Sequence, residues 1–403
     1  MKISENWLRT WVNPAVDSNT LSDQLTMLGL EVDDLSPAAK PFTGVVVGEV
    51  LTVEQHPDAD RLRVTTVNIG SGEPLQIVCG APNVRVGMKV PVATIGAVLP
   101  GDFKIKKGKL RGIESQGMLC GASEIDLEDK IDGLLELPVD APVGVDIREY
   151  LNLDDHVIDI SITPNRGDCF SIRGIAREIG VINQLTVTAP EINAVAATIA
   201  DEKKVVVSTE GCPRYLGRVI KNVNTKAATP EWMERALVRS GIRQHSILVD
   251  ITNYVLMELG QPLHAFDAAK IQGSVQVRQA NTAEKLVLLN EQEVELNEKV
   301  MVIADDEKAL AIAGIMGGLS SSVTDETQDI FLESAFFAPL AIAGRARSFG
   351  LHTDASQRYE RGVDFELPML AMHRASQLIA ELAGGEFGPI TTAEQAAVLP
   401  KRE

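Results

Sequence analysis

A series of short β-branched runs between Val45 and about Pro138 constrains the fold of this chain more than any other feature. The runs are VVVGEV, LRVTTVNIG, LQIVCG, KVPVATIG and KIKKGKLRG, and Gly, Pro or Asn residues separate them. Short runs of this kind, spaced roughly ten residues apart, are typical of antiparallel all-β domains. We therefore predict a small closed antiparallel barrel over residues 39–149.

The segments on either side of the barrel predict one discontinuous α/β domain, formed by residues 1–38 and 150–200. Trp7 and Trp11 lie four residues apart, which places them on one face of a short helix. A strand ending at Thr163 and Pro164 leads to Asn165, which we expect to cap a helix. The barrel, whose length suits the oligonucleotide-binding (OB) class, is then an insertion in this domain.

Residues 205–398 mix helix and strand patterns and predict a larger α+β domain. VQVRQA, KLVLLN and VMVIADD have strand-like patterns, and AMHRASQLIAELAGG is an amphipathic helix with a Gly-Gly stop. Thr229 and Pro230 predict the N-cap and the first residue of another helix. The complete chain is expected to be an α+β multidomain protein.

Charge and cysteine usage exclude several classes of protein. The 403 residues carry a formal net charge of −18, which opposes non-specific binding to phosphate backbones. No apolar stretch of about 18 residues occurs, and the N-terminus lacks the apolar core of a signal peptide. The cysteines form no CxxC pair, so we expect neither a zinc site nor disulfides; they are Cys79, Cys120, Cys169 and Cys212. We expect a cytoplasmic protein.

The densest positive segment is KIKKGKLRG, and it leaves two interpretations open. Its cations are Lys104, Lys106, Lys107, Lys109 and Arg111. A two-residue period would place several of them on one face of the barrel, where they could contact phosphates. The alternative is a solvated hairpin that keeps a sheet edge soluble.

Several motifs resemble the beta subunits of bacterial phenylalanyl-tRNA synthetases. They include LRTWVNP, ITPNRGDC, CPRYLGRVI, VDITNYVLMELGQPLHAFD, AIAGIMGGLSSSVTDET and FLESAFFAPLAIAGRARSFGLHTDASQRYERGVD. The motifs HPDADRLRV, IVCGAPN and SQGMLCGASE resemble, in the same order, the tRNA-binding barrel of synthetases. The resemblance runs along the whole chain and corresponds to the N-terminal half of the family's beta subunit.

The resemblance implies a subunit of a heterotetramer of two alpha and two beta chains. The alpha subunit would join phenylalanine to tRNA(Phe), with ATP and Mg²⁺ required by the whole synthetase and no cofactor or metal held by this chain. The beta chain would bind tRNA and hydrolyse mischarged Tyr-tRNA(Phe) in an editing domain over residues 205–398. Residues 399–403 would begin the linker to the remaining half. An alternative is a tRNA-docking and assembly module without activity of its own.

The resemblance also implies the site residues. Catalytic roles fall to His264, Glu333, Thr353 and Asn253, and the editing pocket adds Gly317, Gly318, Ala355 and Arg243. The five cations of KIKKGKLRG would contact tRNA. Glu333 follows the apolar run IFL, and we expect it at a strand end, where a carboxylate can accept a hydrogen bond from a phenol. Because no GxSxG motif occurs, we expect a positioned water to attack the ester.

Overall fold

The computed structural model describes residues 1–127 and 132–401, which form two compact units. The smaller unit is Ser36–His156, and the larger unit combines Met1–Leu35 with Val157–Glu403. Among the described residues, no helix combines the length and hydrophobicity needed to cross a membrane.

The chain begins with elements of the larger unit. They are β1 (Lys2–Ser4), α1 (Glu5–Trp11), α2 (Ser18–Met27) and β2 (Glu31–Pro37). The side chains of Ser4 and Asp17 cap the two helices by accepting hydrogen bonds from backbone N–H groups. Trp7 and Trp11 are both buried on one face of α1, which agrees with their spacing of four.

The smaller unit is built on a six-stranded antiparallel sheet. Its elements are β3 (Thr43–Gln55), β4 (Arg63–Asn68), β5 (Leu75–Cys79), β6 (Lys89–Leu99), β7 (Phe103–Lys104), β8 (Gly108–Leu110), β9 (Ile113–Ser115), β10 (Gly117–Leu119) and α3 (Ile147–Tyr150). The strand order is β10-β6-β3-β4-β5, with β7 on β6. Beside β10, the Gln116 N–H donates to the Gln76 carbonyl of β5 at 2.8 Å. The two edges of the sheet therefore meet.

Four of the five predicted strand runs in this unit form strands, and the basic run differs. It divides into β7 and β8, with residues 105–107 outside both strands. Ile105 is buried and its N–H still donates to the Ala97 carbonyl at 2.8 Å. The neighbours Lys104 and Lys106 are exposed, as expected when one apolar side chain faces a core and its neighbours face water.

The larger unit continues with seven helices and twelve strands among its described residues. The helices are α4 (Ile172–Asn183), α5 (Glu231–Arg239), α6 (Ile247–Leu259), α7 (Pro339–Ile342), α8 (Arg345–Ser348), α9 (Asp354–Arg361) and α10 (Leu367–Leu382). The strands are β11 (His156–Ser161), β12 (Val205–Val207), β13 (Arg214–Lys221), β14 (Leu263–Asp267), β15 (Val275–Gln279), β16 (Lys285–Val287), β17 (Glu293–Glu295), β18 (Met301–Ala304), β19 (Ala309–Ile312), β20 (Met316–Gly317), β21 (Ile330–Phe336) and β22 (Glu386–Glu394).

These strands form three main sheets. Their orders are β1-β11-β2, β12-β15-β18-β19-β20 and β14-β21-β13-β22. The last sheet separates two apolar cores: Ile330 and Leu332 of β21 belong to the core with α6 and α10, whereas Phe331 and Ala335 face the core with the five-stranded sheet. The first core also contains Trp7 of α1. One continuous core thus joins segments that the sequence assigned to two domains.

Two predicted helix starts are wrong. Pro164–Cys169 forms a 3₁₀ segment, and Ser171 caps α4 by accepting from the Gly174 N–H. The α5 helix begins one residue later than predicted, after Pro230, and the Thr229 hydroxyl donates to Asp250 at 2.6 Å. At Thr229, a partner from a later helix took up the side chain that the local capping rule had assigned.

Candidate functional site

A cavity in the larger unit opens between the four-stranded sheet, the five-stranded sheet and α9. Its volume is about 70 Å³, which is smaller than the roughly 300–1,000 Å³ of sites that enclose a complete drug-sized ligand. The lining is formed by residues 262–264, 303, 311–317, 333, 355 and 359. Four predicted site residues therefore meet here: His264, Gly317, Glu333 and Ala355.

Glu333 provides the carboxylate of this cavity. It lies in the middle of β21, directly opposite His264 on β14 and Gly217 on β13, so the prediction of a strand end is wrong. Its Oε2 accepts a hydrogen bond of 2.6 Å from the Tyr215 hydroxyl. Burial raises the pKa of Glu333 to about 7, and the bond from Tyr215 opposes that rise.

His264 lies beside this carboxylate as a neutral imidazole. Burial lowers its pKa to about 4, and within the described residues its buried Nε2 has no hydrogen-bond partner. The ring packs edge-on against Phe266, with 4.4 Å between centroids. A buried imidazole nitrogen without a partner is suited to donate to or accept from a bound molecule.

Glycine is required at position 317 because the backbone there lies close to the His264 imidazole. A Cβ added at Gly317 would lie 2.5 Å from the His264 Cε1 atom. Glycine is required at position 318 for a different reason: an added Cβ would lie 2.5 Å from the Leu310 carbonyl oxygen. Gly318 does not line the cavity, so it supports the wall that Gly317 forms.

Thr353 shapes the cavity from outside it. Its Oγ1 accepts from the Ser356 N–H at 3.1 Å, which caps α9, and donates to the Ile315 carbonyl at 2.9 Å. These bonds join the start of α9 to the loop of residues 313–316, both of which line the cavity. Thr353 itself is not among the lining residues, so its hydroxyl is committed to holding the wall.

The structure does not bring Asn253 and Arg243 into the cavity. Asn253 is half-buried on α6, and Arg243 is exposed in the loop between α5 and α6. The residues that sequence reasoning missed are Tyr215 and Tyr359. Tyr359 lines the cavity, and its hydroxyl donates to the Ala335 carbonyl at 3.1 Å. A tyrosine among apolar strand residues in CPRYLGRVI was the available signal, because buried hydroxyls need partners.

The basic run lies in the smaller unit and is exposed. Lys107 forms an ion pair with Glu114 at 2.7 Å, whereas no ion pair is recorded for the other cations of the run within the described residues. These are Lys104, Lys106, Lys109 and Arg111, all exposed. The run therefore presents unneutralised positive charge on an acidic protein.

One group of potential metal ligands lies elsewhere in the described part of the larger unit. It consists of Asp168, Cys169 and Glu178. The Arg166 guanidinium bonds to Asp168 and Cys169 and pairs with Glu178 at 2.9 Å. A cation of the protein's own thus already neutralises this group.

Two family matches define the class of the chain. Residues 45–146 match the family described as "Putative tRNA binding domain", and residues 211–384 match the B3/4 domain. These matches cover the six-stranded sheet of the smaller unit and the cavity of the larger unit. Their combination defines the class of aminoacyl-tRNA synthetase subunits.

Curated relatives identify the family. The phenylalanine–tRNA ligase beta subunit of Acinetobacter baylyi is 81% identical over 403 residues, covering all of this chain and 51% of that protein. That of Psychrobacter arcticus is 64% identical over 409 aligned residues, with the same coverage. The chain belongs to the phenylalanine–tRNA ligase beta-subunit family and spans about half the length of these relatives. A solved N-terminal fragment of the Pyrococcus horikoshii beta subunit aligns over 58% of this chain and 63% of its own, at 16% identity and a TM-score of 0.33.

Proposed function

We propose that the larger unit is an editing hydrolase that releases tyrosine from Tyr-tRNA(Phe). In the complete synthetase, two alpha and two beta subunits assemble, and the alpha subunit forms Phe-tRNA(Phe) with ATP and Mg²⁺. Tyrosine differs from phenylalanine by one hydroxyl, and an apolar pocket excludes such an analogue only about a hundredfold. A second site that recognises the hydroxyl improves this discrimination.

The observation that carries the proposal is the buried Glu333 carboxylate in the cavity beside His264. Only Oε2 is bonded to Tyr215, and a carboxylate has further lone pairs that can accept from a substrate phenol. Phenylalanine leaves this acceptor without a partner, which costs about 1–3 kcal/mol. The cavity thereby favours the mischarged product over the correct one.

The hydrolytic step that we propose uses a positioned water. An aminoacyl ester is already activated, so orientation near its carbonyl carbon is the main requirement. Neutral His264 can hold this water or the ester through Nε2, and the backbone around Gly317 approaches closely enough to contact the substrate. Thr353 and Gly318 keep the wall in place. The ribose hydroxyl of the tRNA assists as the proton carrier.

We further propose that residues 39–149 form an OB barrel that binds tRNA through the basic run. Support comes from the exposed cations and from the meeting of the sheet edges at Gln116 and Gln76. The solvated hairpin remains the alternative for this segment. For the whole chain, the second candidate is a docking and assembly module, favoured by the match to a tRNA-binding family.

A deacylation assay on the complete synthetase tests the proposal. Glu333→Ala should slow hydrolysis of Tyr-tRNA(Phe) by roughly ten- to a hundredfold, since one charge-assisted hydrogen bond of about 1.5–3 kcal/mol is lost. Ala355→Trp should block access and reduce both ligand binding and hydrolysis. Glu295→Ala, which removes an exposed carboxylate on β17, is the matched control.

The assay separates the two candidates. Hydrolysis of Tyr-tRNA(Phe) by the parent, with Phe-tRNA(Phe) spared, supports editing, whereas binding without hydrolysis supports the docking module. If folded Glu333→Ala hydrolyses Tyr-tRNA(Phe) at the parental rate, the hydroxyl is recognised elsewhere. Circular dichroism establishes that each variant is folded.

A further inference from the structure

Tyr215 places a phenol of the protein on the carboxylate that the proposed function assigns to a substrate phenol. It lies on β13, directly opposite Ala335 of β21, and Glu333 is two residues from Ala335 on the same face. Tyr215 is completely buried, and its hydroxyl donates to Glu333 Oε2 at 2.6 Å. This distance is short for an O–H···O bond and typical of a charged acceptor.

Among the groups around Glu333, Tyr215 is the one that stabilises its ionised form. The other titratable groups of the elements packed around it are His264 on β14, Tyr359 on α9 and Cys212 before β13. None of these groups is a cation at neutral pH. The buried Arg358 of α9 is bonded to Asp354 and the Phe170 carbonyl instead. Within the described residues, the hydrogen bond to the Glu333 side chain comes from the Tyr215 hydroxyl.

Tyr359 offers an instructive contrast. It is also buried and lines the same cavity, but its hydroxyl shares its one hydrogen between the carbonyls of Ala335 and Pro262 and accepts from Gln261. It therefore makes no bond to Glu333. Both tyrosines are buried near the cavity, but only the Tyr215 hydroxyl bonds to the Glu333 carboxylate.

We propose that Tyr215 is a positioning residue for substrate selection: its hydroxyl holds Oε2, presents Oε1 to the hydroxyl of the incoming aminoacyl group and favours the ionised form of the carboxylate over the protonated form. This inference rests on the proposed editing function. An ionised carboxylate is an acceptor only, so it selects a hydroxyl donor, whereas a protonated carboxyl group can also donate and can rotate. Tyr215 thus sets both the direction and the charge of the acceptor.

The test is Tyr215→Phe in the complete synthetase, because this change removes one oxygen and keeps the ring. Without the donor, Glu333 stays protonated to higher pH. The midpoint of kcat/KM against pH for Tyr-tRNA(Phe) deacylation should move upward by about one unit, and activity below the parental midpoint should fall about tenfold. Activity should recover above the new midpoint. Tyr359→Phe, the matched control, should leave the midpoint unchanged.

Infrared titration of the carboxyl C=O band separates failure of this inference from failure of the proposed function. Glu333→Gln identifies the Glu333 band, and Tyr215→Phe should shift its titration upward even if the parent shows no deacylation. An unchanged band and pH profile in folded Tyr215→Phe would overturn the inference. Loss of activity at every pH, with no shift of the midpoint or the band, would also overturn it and assign Tyr215 to packing alone.

Discussion

Burial pushes the two ionisable residues of the cavity toward their uncharged forms from opposite directions. It raises the pKa of Glu333 to about 7 and lowers that of His264 to about 4, because a low dielectric disfavours either charge. The two residues lie opposite each other on β21 and β14. Shifts of this size in a cavity are typical of functional sites.

The first prediction concerns Glu333→Gln and the pH dependence of stability. Between pH 4.5, the ordinary pKa, and about 7, the unfolded chain ionises at this position while the folded chain keeps its proton. The folded parent therefore loses stability as pH rises through this window. Removing the titration should stabilise the variant relative to the parent by up to about 3 kcal/mol above pH 7. Denaturant unfolding at several pH values measures the difference.

The titration of His264 changes stability in the opposite direction over an overlapping pH range. In the parent it should therefore partly cancel the loss of stability caused by Glu333. Below its ordinary pKa of 6.5, the unfolded chain binds a proton that folded His264 does not accept until pH about 4. Stability from this residue is therefore lost as pH falls. The contribution of His264 is common to both proteins, so the stability of Glu333→Gln minus that of the parent should grow as pH rises from about 4.5 to about 7. A stability difference that is constant with pH would contradict the raised pKa.

The second prediction concerns Gly317→Ala, which adds the smallest side chain against His264. The added Cβ would meet the His264 Cε1 atom at 2.5 Å, so the imidazole must move. We expect a loss of stability of about 1–3 kcal/mol and an at least tenfold fall in Tyr-tRNA(Phe) deacylation. Unfolding and deacylation measurements check the two effects.

Gly108→Ala is the control for this substitution. A Cβ at Gly108 would meet no atom closer than 3.9 Å, the Lys106 carbonyl oxygen. This control should leave both quantities near the parental values. Parental deacylation by Gly317→Ala would mean that the position of the imidazole does not matter.

At the scale of elements, the division of the basic run into β7 and β8 separates its cations into different environments. Lys107 is held by Glu114, and an exposed ion pair of this kind contributes little to stability. It does, however, reduce the charge available to an external phosphate. Lys104 and Lys106, on either side of buried Ile105, have no such partner recorded in the described residues and should dominate any contact with tRNA.

The third prediction follows from this difference. Lys104→Ala and Lys106→Ala should each reduce the slope of log affinity for tRNA against log salt by roughly one unit per lost contact, and Lys107→Ala by less. Lys299→Ala, an exposed lysine in the larger unit, should leave the slope unchanged. Equal slopes for all four variants and the parent would identify the run as a solvated hairpin.

For the whole molecule, the net charge and the length of the chain relative to its relatives bear on which functions require other parts of the synthetase. A net charge of −18 on 403 residues makes general attraction of tRNA unfavourable, so binding must rest on local patches or on a partner subunit. The relatives that the chain matches are about twice as long. The proposed function accordingly places aminoacylation on the assembled synthetase.

The fourth prediction is that this chain alone does not transfer phenylalanine to tRNA(Phe). The proposed function places ATP use and acyl transfer on the alpha subunit. Incubation with radiolabelled phenylalanine, ATP, Mg²⁺ and tRNA should leave the tRNA unlabelled, and addition of the alpha subunit with the complete beta subunit should restore labelling. Labelled tRNA from the chain alone would contradict this assignment.

The sequence by itself determined the features that depend on local spacing. Strand runs such as those of β3 to β6 and the helical spacing of Trp7 and Trp11 follow from side chains near each other in the chain, and the structure agrees with them. The resemblance of the sequence motifs to a known family, rather than local spacing, implied that His264, Gly317, Glu333 and Ala355 belong to one site, and the structure brings these four residues to one cavity. Local rules failed where a distant partner competed, as at Thr229, whose hydroxyl bonds to Asp250.

Only the tertiary structure decided which side chains touch. The order β14-β21-β13-β22 is not the order along the chain, so no local pattern brings Tyr215 to Glu333, 118 residues away. The same long-range packing commits the Thr353 hydroxyl to the Ile315 carbonyl and leaves Asn253 outside the cavity. A side chain's bonds depend on its neighbours in space, and in this sheet those neighbours come from separate parts of the chain.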